Sequence, residues 1–408
     1  MNVYSSTYIC KEETLLKSLI LVNGVEFTSK ALNKAAQSNA KQQNLVYNMP
    51  IASDRYRPQE LNIKNSIDGY EVVVSCVASN GITSPVTIDV NEDDKLFARY
   101  NNDLIPNIEL SFVQTPSYYN NKLSNNINVT NYITACGYDE LNIIPWKGCN
   151  ISDGCLFCGI NNFIRLEDVS AQKISKGLVT WDKYKQEYIP NLLEALDIAI
   201  ESECYDEHLH AIMISGNLSN DKLDEQAQIY SEIAKSISPI LKERATEGLV
   251  AVISPPNNLA NIDLMKKSGI EKVVFNLEAI TPKGFQHYCP GKAALGREYF
   301  IDRLIYAVNI FGKGNVWTNL VVGLEPIDEV LSYCKNIIDK GIVVSGNVLH
   351  LDKGNKLDCN VPDLDTVLDF YYQLNILNNT ESFNPFYCSK ALRTSLTNEA
   401  FDSRIILR

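Results

Sequence analysis

The feature that most restricts the fold is a regular alternation of short apolar segments and longer amphipathic segments from about residue 140 onward. The apolar segments have the length of strands, and the segments between them have the length of helices. Six strands are predicted, with the sequences LNIIPW, AIMISG, LVAVISP, KVVFNLEAI, VWTNLVVGLE and VVSGNVLHL. Helices are predicted over residues 181–202, 221–247, 257–268, 296–311, 327–339 and near 363–377.

Repeated strand–helix–strand crossovers imply a parallel sheet with helices outside it. Six units are too few for a closed eight-stranded barrel, so the predicted fold class is α/β, with a partial (β/α)6 TIM-like barrel. In such a barrel the functional residues lie at the C-terminal ends of the strands. That rule identifies the candidate residues below.

The first part of the chain has a different pattern. Its β-branched runs at 69–79, 84–90 and 107–116 are separated by turn-forming residues, and a helix is predicted over 29–44. This pattern predicts an N-terminal, mainly β accessory module, to which no motif assigns a function. The predicted domains are residues 1–135 for this module, 136–355 for the barrel and 356–408 for a C-terminal helical extension.

Composition limits the classes of partner. The net charge of −12 disfavours a nucleic-acid partner, because phosphate binding needs a basic surface. No apolar run is long enough to span a membrane, and the N-terminus lacks the pattern of a secretion signal. The eleven cysteines follow no disulfide framework, so a reducing, cytoplasmic location is expected. A small molecule or a peptide is the expected substrate class, and the oligomeric state is left open.

Three of the cysteines are concentrated in KGCNISDGCLFCGI, residues 147–160, directly after the first predicted barrel strand. Four thiolates would complete a structural zinc site or an ordinary iron–sulfur cluster. Cys149, Cys155 and Cys158 leave one metal position open for a substrate or cofactor. The flanking glycines allow the loop to wrap tightly around an inorganic core. A zinc site with a fourth ligand from elsewhere, such as Cys136, is the alternative.

This loop resembles that of the radical SAM (S-adenosylmethionine) superfamily, in which three cysteines hold a [4Fe–4S] cluster. The resemblance implies that Cys149, Cys155 and Cys158 hold the cluster and that the open iron binds SAM. Phe157 matches the aromatic residue that often precedes the third cysteine. The spacing here is five then two residues instead of the usual three then two. It is similar to that of the radical SAM protein linked to assembly of the iron–guanylylpyridinol cofactor.

The resemblance extends over about residues 136–355 and implies further SAM-binding residues at strand ends. Ser215-Gly216-Asn217 stands where the superfamily has a Gly-Gly-Glu-like segment at the SAM amino group, with a helix-capping turn as the alternative. Val321 and Gly323 match the segment that lies against adenine, although Glu325 falls one residue early and Gly323 is also compatible with a simple turn.

The fourth predicted strand ends in Asn276-Leu277-Glu278. Alternation places Asn276 and Glu278 on one face, inside the barrel, where ribose hydroxyls would satisfy both. Arg297, at the start of the next helix, is expected to pair with Glu278 or to clamp the SAM carboxylate. This order is similar to the biotin-synthase-like and hydrogenase-maturation branch, and a structural Glu–Arg bridge is the alternative.

Four residues are candidates for contact with the substrate: His287 and Cys289 in FQHYCPGK, and His350 and Asp352 in LHLDKG. They follow predicted strands 4 and 6, where they would serve as proton or hydrogen sources. For each of them a loop side chain without a catalytic part is the alternative. Cys204, His208 and His210 precede the second strand, at the opposite end of the barrel, and receive no role.

These features predict a radical SAM enzyme that cleaves SAM reductively at a [4Fe–4S] cluster. The resulting 5′-deoxyadenosyl radical would abstract hydrogen from a small-molecule biosynthetic substrate, with electrons from a donor such as flavodoxin or ferredoxin. A peptide or protein substrate, recognised by the N-terminal module, is one alternative. A zinc-stabilised binding protein and a barrel enzyme with redox-sensing thiols are the alternatives from other classes.

Overall fold

The computed structural model describes residues 5, 7–42, 57–77, 83–151, 153–163, 170–351, 355–358, 361–384 and 390–408. The elements of the N-terminal part are β1 Tyr8–Cys10, α1 Glu12–Asn23, β2 Glu26–Phe27, α2 Ser29–Gln37, β3 Glu60–Asn65, β4 Glu71–Ser75, β5 Val86–Val90, β6 Leu96–Tyr100, β7 Asp103–Leu104 and β8 Ile108–Phe112. No helix in the described ranges combines the length and apolar composition that a membrane crossing requires.

The N-terminal sheet has the order β2-β5-β6-β8-β3-β4, with β7 paired to β6. The predicted strand runs are present as β4, β5 and β8. The helix predicted over 29–44 is present as α2 but ends at Gln37, and Ala40 and Gln42 instead form β-bridges. Helix α1 is not predicted by the sequence pattern. It packs against β3, β4 and a C-terminal helix, and nine of its twelve residues are buried. A helix that is covered on most sides has no clear polar face, and its sequence therefore lacks the amphipathic period.

The second sheet confirms the predicted partial barrel. Its order is β15-β14-β13-β12-β11-β10-β9, in which β9 is antiparallel to β10 and the other six strands are parallel. All six predicted strands are present. The strand bounds are β9 Ile133–Cys136, β10 Glu140–Ile143, β11 His210–Ile214, β12 Leu249–Val252, β13 Lys272–Val274, β14 Val316–Val322 and β15 Val343–Val348.

Helices cover the outside of this sheet and match the predicted helices to within a few residues at most ends. Their bounds are α3 Ser170–Ser175, α4 Trp181–Ile200, α5 Leu223–Leu241, α6 Ala260–Lys267, α7 Pro282–Tyr288, α8 Pro290–Ala293, α9 Arg297–Phe311 and α10 Ile327–Ile338. Local sequence sets some of these ends. Thr180 precedes α4, for example, and its side chain accepts a hydrogen bond from the Lys183 amide.

The C-terminal part contains α11 Leu364–Asn379, α12 Thr397–Phe401 and β16 Ile405–Leu407, which pairs with β1. The segment 390–395 lies along the open edge of the barrel. The Val348 amide donates to the Thr394 carbonyl at 2.8 Å, and the Ser75 amide of β4 donates to the Arg393 carbonyl at 3.0 Å. This segment therefore joins the last barrel strand to the N-terminal sheet.

Buried ion pairs strengthen that connection. Glu60 of β3 contacts both Lys41, at 2.6 Å, and Arg393. Burial opposes ionisation of Glu60, but the charges of Lys41 and Arg393 hold its pKa below the usual value. Arg404 contacts Glu13 of α1 at 2.8 Å. The end of the chain is thus bound electrostatically to its beginning.

Candidate active site

The three-cysteine loop follows β10, at the C-terminal end of the barrel strands, as predicted. Cys149 and Cys155 are half-buried and Cys158 is exposed. The Asn161 side chain fixes the start of the loop, because it accepts from the Cys149 amide at 2.9 Å and donates to the Cys149 carbonyl at 2.7 Å. The Cys158 amide donates to the Cys155 carbonyl at 3.1 Å, which closes a turn between these two cysteines.

The first cysteine packs directly on the residues after β11. The Asn217 amide donates to the Cys149 sulfur at 3.3 Å, and the Asn150 amide donates to the Asn217 carbonyl at 2.7 Å. A Cβ atom on Gly216 would lie 2.5 Å from the Gly148 carbonyl oxygen and 2.7 Å from the Cys149 Cα. Only glycine permits this approach of the two backbones.

The predicted Ser215-Gly216-Asn217 segment therefore lies beside the cysteine loop. Its side chains make local contacts: Ser215 Oγ donates to the Trp146 carbonyl at 2.7 Å, and Asn217 Oδ1 accepts from Gln226 Nε2 at 3.0 Å. These bonds hold the turn that carries Gly216. The role of the segment in SAM binding stays a prediction.

A fourth thiol adjoins the loop on its other side. The Leu156 amide donates to the Tyr288 carbonyl at 2.9 Å, which aligns the loop with the turn between α7 and α8. Cys289 in that turn is buried near Cys155, and its Sγ donates to the Leu277 carbonyl at 3.8 Å. The neighbouring Cys289 thiol and burial raise the pKa of Cys155 well above its usual value. Cys289 was selected from the sequence as a substrate-contacting residue, and the structure places it next to a cluster-binding candidate.

The environment of these thiols suits a cationic centre. Burial also raises the pKa of Cys149. Thiols in such surroundings become thiolates when a metal compensates their charge, with release of protons. Cys136 does not join them: it pairs in register with Glu140 at the start of β10, whereas the loop follows the end of that strand. A zinc site made of the loop and a ligand from elsewhere stays an alternative to the cluster.

Asn276 and Glu278 follow β13, and both line the barrel interior, as alternation predicts. The Glu278 side chain contacts Lys292, whose Nζ lies 3.1 Å from Oε1 and 2.8 Å from the Asn276 carbonyl oxygen. Burial opposes the charge of Lys292, but Glu278, Cys155 and Cys289 hold its pKa above the usual value. The sequence analysis does not single out Lys292, although it lies in the CPGK segment beside a candidate cysteine.

Arg297 does not pair with Glu278. Its Nε donates to the Ile280 carbonyl at 2.6 Å, and its guanidinium lies 5.1 Å from the centre of the Tyr333 ring. Lys292 occupies the position that was expected for this arginine. Contact of Arg297 with the SAM carboxylate stays a prediction.

The other predicted cofactor-binding residues have distinct environments. Phe157 and Val321 line the cavity described below, and the Val321 amide donates to the Glu278 carbonyl at 2.7 Å. Gly323 has a φ of +110°, and a Cβ atom there would lie 2.6 Å from Pro362 Cδ. This glycine is required by the fold, whether or not it also contacts a ligand.

Of the remaining substrate candidates, His350 is half-buried and lines the same cavity. His287 is exposed on α7, and its ring packs edge-on against Tyr288 with the ring centres 4.7 Å apart. It does not line the cavity. Asp352 lies outside the described residues.

A cavity of about 330 Å³ extends from the cysteine loop into the barrel. Its size is typical of a small-molecule site. The residues at its mouth are Phe157, Cys158, Glu278 and His350. Polar residues within the barrel strands and on the segment near Glu60 that also line the cavity are Glu140, Asn142, Asn319 and Arg393, and Asn347 and Thr394 line it near the C-terminal end of β15.

A parallel half-barrel with three cysteines after its first strand, and with polar strand ends around a central cavity, is similar to the arrangement that the resemblance to the radical SAM superfamily implies.

No family model matches the chain. Its sequence is similar to the bacteriochlorophyllide c C-7(1)-hydroxylase of Chlorobaculum limnaeum, with 26% identity over 237 residues that cover 55% of this chain and 56% of the relative. Similar solved structures include HydG, a maturase of the [FeFe]-hydrogenase, with 14% identity, coverage of 58% of this chain and 49% of that chain, and a TM-score of 0.38. Another is coproporphyrinogen III oxidase HemN from Escherichia coli, a radical SAM enzyme, with 12% identity, coverage of 61% and 54%, and a TM-score of 0.36. The chain thus spans about half the length of the proteins it matches.

Proposed function

We propose that this protein is a radical SAM enzyme acting on a small molecule. The observation that carries the proposal is the position of three thiols at the C-terminal mouth of a half-barrel, beside a cavity with polar strand ends. When bound, a [4Fe–4S] cluster and SAM supply a 5′-deoxyadenosyl radical that abstracts hydrogen from the substrate. Flavodoxin or ferredoxin is the class of electron donor that such a cluster needs.

In this proposal Cys149, Cys155 and Cys158 hold the cluster. The chemistry of the donor set fits, because thiolates are the ligands that iron–sulfur clusters require. Among the described residues no three His, Cys, Asp or Glu side chains already converge on one metal position, so binding would have to draw the three thiols together. The contact between Gly216 and the loop fits as well, since it keeps the Cys149 backbone against the end of β11 without a side chain between them.

Asn276 and Glu278 are proposed to bind the ribose hydroxyls of SAM. Lys292 orients Glu278 through their ion pair and fixes the Asn276 backbone through its second contact. Phe157 and Val321 supply apolar surface at the same end of the cavity. His350 is the proposed proton donor or acceptor for the substrate, because it alone of the substrate candidates lines the cavity among the described residues.

The cavity favours a compact substrate. A volume of about 330 Å³ lies near the lower end of the range for ligand sites. A peptide substrate, added as a strand to the N-terminal sheet, is less favoured. Strand β4 at one edge already donates a hydrogen bond from the Ser75 amide to segment 390–395, and β2 at the other edge has only two residues.

The direct test is anaerobic reconstitution with iron and sulfide, followed by dithionite and SAM, with 5′-deoxyadenosine measured by mass spectrometry. We expect about four irons per chain and 5′-deoxyadenosine formation, both lost in Cys149→Ala. The buried Cys136→Ala is the matched control and should retain both. One zinc and no iron after anaerobic purification, or full activity of Cys149→Ala, would overturn the proposal.

A further inference from the structure

One buried amide in the inner cavity has no partner in the described part of the chain. Asn142, in the middle of a β10 strand of four residues, is 4% exposed and lines the cavity. Its backbone pairs with β9 and β11, while its side chain forms no hydrogen bond with any described residue. A buried polar side chain normally has a hydrogen-bond partner, so the Asn142 amide, which faces the cavity, must be satisfied there by water or by a bound molecule.

Two further asparagines line the same cavity from the other side of the curved sheet. Asn319 lies on β14, and its side-chain amide also forms no hydrogen bond with a described residue. Asn347 lies on β15 and accepts a hydrogen bond from Thr394 Oγ1 at 2.8 Å, which leaves its NH₂ group available to a ligand. The first and the last of the parallel strands, β10 and β15, therefore both present side-chain amides to this cavity.

The charged groups at the inner end are already paired within the protein. Glu140 lies 3.2 Å from His210 Nε2, and Arg393 contacts Glu60. The rest of the wall near Asn142 is apolar, with Ile212 on the neighbouring strand. The inner end therefore offers amide groups for hydrogen bonding between apolar surfaces. The charges of Glu140 and Arg393 are already paired with other groups of the protein.

We propose that the inner end of the cavity is a subsite for a flat, uncharged group that carries a hydrogen-bond donor beside an acceptor. Amides, lactams and imides have this chemistry. A primary amide side chain offers one acceptor and two donors, so it pairs with such a group through two hydrogen bonds. Asn142 and Asn319 are the recognition residues. The identification of the bound molecule as the substrate rests on the proposed function. The binding itself does not depend on that function.

The test uses 2-pyridone as a lactam probe, with N-methyl-2-pyridone and benzoate as comparisons. Binding is measured by ligand-observed NMR to the reconstituted holoprotein and to the protein without iron, each with and without SAM. We expect 2-pyridone to bind in all four cases and N-methyl-2-pyridone to bind about tenfold more weakly, because it lacks the donor. Benzoate, whose charge has no partner at this end, should bind most weakly.

The decisive variant is Asn142→Leu, which keeps the side-chain size and removes the amide. It should weaken 2-pyridone binding about tenfold or more without lowering the Tm of the ligand-free protein, because the amide makes no hydrogen bond with a described residue that the leucine would remove. Asn319→Leu should weaken binding in the same direction. Asn336→Leu, an exposed asparagine on α10, is the matched control and should change neither quantity.

Unchanged 2-pyridone binding in Asn142→Leu, stronger binding of benzoate than of 2-pyridone, or a lower Tm in Asn142→Leu would overturn the proposal. Competition between 2-pyridone and SAM would also overturn it, because the amides would then belong to the SAM site. If no cluster forms but 2-pyridone still binds through Asn142, the proposed function fails and the subsite stands. If a cluster forms and 2-pyridone does not bind, only the subsite fails.

Discussion

Lys292 and Glu278 form an ion pair next to the cysteine loop, with Nζ 3.1 Å from Oε1 and side chains that are 7% and 17% exposed. Lys292 is attracted by the Cys155 and Cys289 thiols as well as by Glu278. This pair therefore connects the proposed cluster ligands to the proposed SAM-binding carboxylate. The loss of either partner should affect ligand binding more than cluster assembly.

We expect Lys292→Met to lower SAM affinity about tenfold, because Glu278 loses the contact that orients it. Iron content after reconstitution should stay near that of the unmodified protein. Equilibrium binding of SAM and iron analysis check the two effects. The free energy of unfolding should fall by about 3–5 kcal/mol, and addition of Glu278→Gln should recover part of it, since the carboxylate is no longer left unpaired. A loss in the double variant that equals the sum of the losses in Lys292→Met and Glu278→Gln would show that the pair is not coupled.

Gly216→Ala should prevent cluster assembly. The added Cβ would collide with Gly148 and Cys149, so the cysteine loop must move away from the end of β11. Iron content and the visible absorption of the reconstituted protein measure the effect. Gly177→Ala is the control, because its φ of +66° strains an alanine while the space around it is open and away from the loop. A Gly216→Ala protein with a full complement of iron would contradict the assigned contact.

Arg404→Met should destabilise the protein by about 3–5 kcal/mol, because it leaves Glu13 buried without its partner. Lys34→Met breaks a pair with Asp94, whose side chain is 77% exposed, and should cost at most about 1 kcal/mol. Urea unfolding of both variants gives the comparison. Similar losses in the two would mean that the contact between chain ends contributes little.

Glu60 should make stability depend on pH in the acid range. Its pKa in the folded protein lies below the unfolded value of about 4.5, so its contribution is present above that pH. The contribution is lost as the pH falls through the lower folded pKa. Urea unfolding between pH 7 and pH 3 should therefore show a gap between the unmodified protein and Glu60→Gln that narrows on acidification. A gap of constant size would contradict this assignment.

The barrel follows from the sequence because its strands and helices are encoded locally. The first four residues of AIMISG are apolar, as a parallel strand covered on both faces must be, and they lie in β11. The position of Gly216 is likewise predictable, since a glycine at a strand end marks a close approach.

Features that depend on distant parts of the chain were not predictable. Lys292, in α8, contacts Glu278, which follows β13. No local periodicity in the sequence predicts this contact. The closure of the barrel edge by segment 390–395 requires Arg393 to find Glu60, which lies 333 positions away. In the sequence, Asn142 is a single polar residue within an apolar strand, and only the structure shows that it lines the cavity.

The central claim is that the three cysteines leave one iron open for SAM, and electron paramagnetic resonance of the dithionite-reduced, reconstituted protein tests it most directly. A reduced [4Fe–4S] signal that shifts when SAM is added, that disappears in Cys158→Ala and that persists in Cys136→Ala is the predicted result. A signal that SAM leaves unchanged, or that survives the loss of Cys158, would contradict the account.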